Sequence, residues 1–124
     1  MEEKLESFVV KDEFVIAGIK LRPFTAGSLI MLQMIKNPLV MQDQEGLERD
    51  AFYHIASFFF IHAGDLDQVR SVVSNESEFK MSVIKFAEGF SAGELINSGE
   101  LIKKMIESAT VGQDYNVEGE PSPN

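Results

Sequence analysis

The chain has 124 residues, carries 20 acidic against 11 basic side chains for a net charge of −9, and contains no cysteine. That length suits one domain that buries about two thirds of its unfolded surface, and the missing cysteines exclude disulfides, thiolate metal sites and cysteine nucleophiles. A surface this acidic repels phosphate, and Lys103-Lys104 is the only adjacent basic pair, so no nucleic-acid partner is expected.

The opening stretch Met1–Ser7 lacks the basic start and apolar run of a signal peptide. No apolar run reaches the length of about 20 residues that a membrane span needs. The expectation is a cytoplasmic protein with no membrane partner.

Residues 1–7 are charged, without periodicity, and read as frayed. Phe8-Val9-Val10 reads as a short strand ended by the turn Lys11-Asp12-Glu13. Phe14-Val15-Ile16 and Ile19-Lys20-Leu21 flank Ala17-Gly18 and predict a small hairpin, because Gly18 accepts the positive φ of a tight turn. Ile19 and Leu21 then face one side, with Lys20 and Arg22 on the other. Pro23 ends the pairing.

Thr25 is the expected N-cap of a helix running to about Lys36, where Asn37-Pro38 forces the exit. Leu39-Val40-Met41 continues the apolar character, Gln42–Gly46 reads as a polar connection, and Leu47 to Ala63 as a helix. Within it, Ala51–Ala63 carries apolar residues on every face, interrupted only by His54, Ser57 and His62. A helix apolar all round must be covered all round, so this segment is the expected buried centre.

Asp65 caps a short helix with Leu66, Val69 and Val73 on one face. Asn75 with Glu78, and Ser91 with Glu94, form capping-box patterns for two further helices. The first buries Phe79, Val83, Phe86, Ala87 and Phe90. The second buries Leu95, Ile102, Met105, Ile106 and Ala109, loosened at Gly99. From Gly112 onward the composition reads as a disordered acidic tail. The fold expected is therefore mainly α: a small helical domain over residues 1–111, with a short N-terminal β-hairpin, packed around a central apolar helix at 51–63.

Chemistry is sparse. Asp50 and His54 are spaced i,i+4, with His62 further along, but a metal site wants another ligand and the His-Glu-x-x-His pattern is absent. The plainer reading is a charge-assisted Asp50–His54 pair, with His62 near the helix end where the dipole favours the imidazolium. Asp50, His54 and Ser57 on one helix lack the sharp turn and oxyanion hole of a hydrolase triad. Thr25-Ala26-Gly27-Ser28 is not a phosphate loop, and Asp65 with Asp67 lacks calcium-loop spacing. Neither metal nor organic cofactor is expected, and no enzyme activity. What remains is apolar surface: Met31, Met34 and Met41 with Leu29, Leu32, Leu39 and Val40 form a methionine-rich strip, of a kind that accepts varied apolar partners or self-associates. The same residues also serve to fill irregular gaps in a core.

From Phe14 to Pro38 the chain resembles the N-terminal part of tail assembly chaperones of long-tailed bacteriophages. The residues that carry the likeness are the hairpin Phe14–Leu21, then Arg22-Pro23-Phe24-Thr25, then Gly27-Ser28-Leu29 opening a Leu/Met-rich helix that breaks at Asn37-Pro38. The resemblance implies a non-enzymatic protein that keeps an apolar, helical tape-measure protein soluble in the bacterial cytoplasm during tail assembly. It implies contacts through Leu29, Met31, Leu32, Met34 and Ile35. The alternatives are a structural or adaptor protein retained in the particle, and a small metal- or substrate-binding enzyme using Asp50, His54 and His62.

Overall fold

The computed structural model describes residues 13–41 and 43–119, with side chains described as far as Ala109. The expected strand at Phe8–Val10 and the frayed start lie outside the described residues, as does the end of the expected tail from residue 120.

The hairpin forms as its alternation dictates. Strands β1 (Phe14–Ile16) and β2 (Ile19–Leu21) pair antiparallel, with Phe14 opposite Leu21 and Ile16 opposite Ile19. Ile16 and Leu21 are buried, whereas Val15 and Lys20 face water, where Lys20 Nζ reaches Glu13 at 3.2 Å. The two-residue turn takes positive φ at both positions, 51° at Ala17 and 80° at Gly18. This is the backbone that matches strand twist in tight hairpins, and alanine adopts it under strain.

Helix α1 (Ala26–Met34) opens with a complete capping box, Thr25 and Ser28 bonding each other's backbone N–H groups at 3.2 and 3.1 Å. It stops before Lys36, which turns left-handed with φ 55°. Helix α2 (Pro38–Met41) follows at once. The expected polar connection at 42–46 and the continuous helix from Leu47 are both corrected. Asp43 caps a separate helix α3 (Gln44–Arg49) by accepting from Gly46 N–H at 3.0 Å, and Asp50 then leaves helical geometry at φ −130° before α4 (Ala51–Ala63) begins.

Helices α5 (Leu66–Val72) and α6 (Glu76–Ala87) start at Asp65 and Asn75, whose side chains accept from Gln68 and Glu78 N–H at 3.1 Å each. No return bond from the Glu78 carboxylate to Asn75 N–H forms, so that expected box is half made. The Ser91–Glu94 box is complete, but its helix α7 (Ala92–Ile96) ends early. The expected continuous helix is interrupted at Asn97 and buried Ser98, whose Oγ donates to Leu95 O at 2.6 Å, and Gly99 begins α8 (Gly99–Gly119) instead of loosening a longer one. The α8 backbone continues past Gly112, where the sequence reading begins its tail. One glycine costs a helix only about 1 kcal/mol, and the next proline is Pro121.

Helix α4 sits where its all-round apolarity requires. Every residue from Ala56 to His62 is buried, with β2, α1, α2, α3, α5, α6 and α7 all packed on the helix. Phe58, Phe59, Leu32 and Val69 have no exposed surface at all. Phe60 meets Phe79 of α6 edge-on with ring centroids 5.6 Å apart, a favoured aromatic geometry.

Because Ala17 is held at positive φ, Ala17→Asn, which tolerates that region, should stabilise the fold by up to about 1 kcal/mol. Urea unfolding checks this; a midpoint lowered by the substitution would contradict the strained-turn account.

Candidate functional site

The sequence leaves two candidate sites, the titratable residues of α4 and the apolar strip of α1, and the structure sorts both. His62 is 1% exposed and packs in a three-ring cluster with Phe24 and Phe58, at centroid distances of 5.7 and 4.6 Å, the two phenyl rings lying 6.0 Å from each other. Its Nδ1 lies 2.8 Å from Phe58 O. A carbonyl only accepts, so Nδ1 carries a hydrogen, while Nε2 is buried without a hydrogen-bond partner among the described residues. Burial, opposed by that hydrogen bond and reinforced by nearby Arg22, pushes the imidazole down to about 4. The expected imidazolium at the helix end is thus corrected: desolvation outweighs the helix dipole.

Arg22 takes the role at the helix end. Its guanidinium donates to Ile61 O and Gly64 O, and its backbone N–H donates to His62 O at 2.8 Å. Three carbonyls of the last turn and C-cap of α4 are satisfied by one residue from the end of β2. Arg22 therefore does not share the solvent face with Lys20, as the alternation suggested.

His54 is half-buried, and no ion pair joins it to Asp50 among the described residues. Burial lowers its pKa, with Asp50 opposing and Arg49 assisting, so desolvation outweighs the expected pair here too. Ser57 is fully buried, and its Oγ donates to Tyr53 O at 2.7 Å, so its hydroxyl is neither exposed nor free. Among the described residues no group of three or more His, Asp or Glu side chains is placed to hold a metal. His62 is enclosed by Phe24 and Phe58, apart from the surface that His54 reaches.

That surface is a groove of about 1020 Å³ between the C-terminal end of α1, the junction of α3 and α4, and α6. Met34, Ile35, Tyr53, Val73, Phe79 and Ile84 supply its apolar lining. Met34 and Ile84 remain 51% and 49% exposed on opposite walls. Lys36, Asp43, Arg49, Asp50, Glu76 and Lys80 supply its charges.

Buried Asn37 ties the walls together. Its Oδ1 accepts from Leu39 N–H at 2.9 Å and its Nδ2 donates to His54 O at 3.0 Å, fixing the α1–α2 turn against α4. Sequence reasoning treats Asn37 only as a helix exit and passes over Tyr53, Val73, Phe79 and Ile84 as groove residues.

The five residues expected to contact a partner separate by helical face. Leu32 is fully buried, so it is core and not contact surface. Leu29 and Met31 are half-buried and do not line the groove, whereas Met34 and Ile35 do. On a 3.6-residue repeat Leu32 points inward, while Met34 lies across the helix from it. A smaller groove of about 640 Å³ lies on the other flank of α6, lined by Phe60, Val72, Met81 and Phe86 among others. Comparisons with models of protein families, with characterised proteins and with solved structures return no match.

The buried neutral His62 makes stability depend on pH with a definite sign. Its folded pKa of about 4 lies below the unfolded 6.5, so the unfolded chain binds more protons between those values. The stabilisation is complete above pH 6.5 and is lost as pH falls toward 4. Between pH 7 and pH 5 the loss should be about 2 kcal/mol. Urea titrations at both pH values check it: His62→Leu should flatten most of the dependence, and an unchanged slope in that variant would contradict the assignment.

Proposed function

We propose that this chain is a non-enzymatic tail assembly chaperone that seats apolar helical segments of a tape-measure protein in the groove between α1 and α6. The observation that carries the reading is the groove itself. It presents adaptable apolar side chains, Met34 and Ile84, at half exposure on facing walls of an otherwise acidic protein. Unpartnered apolar residues gathered in one concavity suit a helix laid in a groove, and methionine adapts to varied partners. The resemblance over Phe14–Pro38 supports the same class of partner. The net charge of −9 would keep bound complexes apart in the bacterial cytoplasm. No helix among the described residues is long and apolar enough to cross a membrane.

Co-expression with a tape-measure-like protein tests the reading. The chain should hold that protein in a soluble complex and be missing from finished particles. Burying the half of Met34 or Ile84 that is still exposed is worth roughly 1 kcal/mol each, and a carboxylate placed in that apolar contact adds a desolvation penalty, so Met34→Asp with Ile84→Asp should abolish the complex. Both positions are exposed, and the double variant should keep its fold by circular dichroism. A complex indifferent to both changes, or the chain retained stoichiometrically in particles, would contradict the proposal.

A further inference from the structure

Helix α6 separates the two concavities, and its flank turned away from the α1–α6 groove carries a pattern of its own. Phe60, Val72 and Phe86 give the smaller groove an apolar floor, with the rings of Phe60 and Phe86 5.9 Å apart. Met81 lines it from α6 with 61% of its surface exposed. The lining has one charge of each sign, Glu78 in the first turn of α6 and Lys85 in its last. Neither makes an ion pair among the described residues.

Glu78 and Lys85 are seven residues apart, close to two helical turns, so they share one face with Met81 between them. A face that runs acidic, apolar, basic along a helix is complementary to itself when turned end for end. Set antiparallel against a second copy, each α6 brings its Glu78 to Lys85 of the other molecule, and two-fold symmetry makes the contact twice. The same register sets Met81 opposite Ser82 of the second copy, a small residue that leaves the thioether room to reach the apolar floor. Ser82 also lines this groove.

We propose that this flank of α6 is the interface of a homodimer in which two α6 helices pair antiparallel about a two-fold axis beside Met81 and Ser82. The inference goes beyond the docking reading and does not rest on it, since Met34 and Ile84 line the other groove and stay open in the dimer. The charge of −9 on each copy opposes association, but charges separated by more than about 8 Å are largely screened at physiological salt. The facing Glu78 and Lys85 pairs then set the register of the contact. One pair of short helices makes a small interface, so the dimer is reversible.

Sedimentation equilibrium of the full chain at physiological salt should show a monomer–dimer equilibrium. Lys85→Glu sets two carboxylates against each other at both contacts and should weaken the dimer about tenfold. Adding Glu78→Lys to that variant should restore it, and mixing the two single variants should give a heterodimer. Glu78, Met81 and Lys85 are all exposed, and circular dichroism checks that each variant keeps its fold. The chain has no cysteine, so Met81→Cys supplies a single thiol beside the axis, which should link two copies under mild oxidation. Ile96→Cys, at a position equally exposed but outside the groove, should not. A monomer throughout, whether the new thiol at 81 reacts freely or is shielded by another segment of the chain, would overturn the inference. So would a dimer indifferent to Lys85→Glu, or a double exchange that remains as weak as the single one.

Discussion

The last turn of α4 sets the problem that the rest of the structure answers. A helix apolar on every face gains most by complete burial, yet burying its C-terminal end strands carbonyl oxygens away from water. Each unpaired buried group would cost about 1–3 kcal/mol. Arg22 resolves this with its guanidinium on Ile61 O and Gly64 O and its backbone N–H on His62 O. The hairpin is thereby more than a cover for one side: β1 and β2 deliver the cation that lets Phe58–His62 remain dry. Arginine suits the task, since its fork reaches two acceptors at once and stays charged when partly desolvated.

The same requirement shapes the groove. Covering α4 from all sides brings α1, α3 and α6 around its N-terminal half, where Tyr53 and His54 are only half-buried. Asn37 holds the α1–α2 turn to the His54 carbonyl, so the lip that carries Met34 and Ile35 is fixed by a buried side-chain bridge. The wall formed by α6 is positioned by Phe79 and Val83 inside, which leaves Ile84 outward. A helix packed tightly at one end and incompletely covered at the other yields both a stable core and an apolar concavity.

Much of this was legible in local sequence. The alternation of Phe14–Leu21, the Thr25 and Ser91 caps, and the unbroken apolarity of Ala51–Ala63 each encode their outcome within a few residues, because strand period and capping are short-range physics. What escaped was decided at long range. Arg22 meets acceptors about forty residues away, Asn37 bridges to α4, and the groove takes its walls from helices far apart in sequence. The breaks at Asp50 and Ser98 also escaped, because local propensity allows a continuous helix at both places and neither carries a proline to force the break. Hydrophobicity alone marked Leu32 and Met34 as equals, and only the packing direction of α1 separates core from rim. The two histidines show the same limit, since their charge state follows from burial, which spacing does not reveal.

The central claim is that the groove between α1 and α6 receives an apolar helix. Amide hydrogen exchange of the full chain, with and without a tape-measure-like helical fragment, addresses it most directly. The account predicts slower exchange at Met34–Pro38, Arg49–His54 and along α6, with the hairpin unaffected. Protection confined to the Gly64–Gln68 flank, or none anywhere, would contradict it.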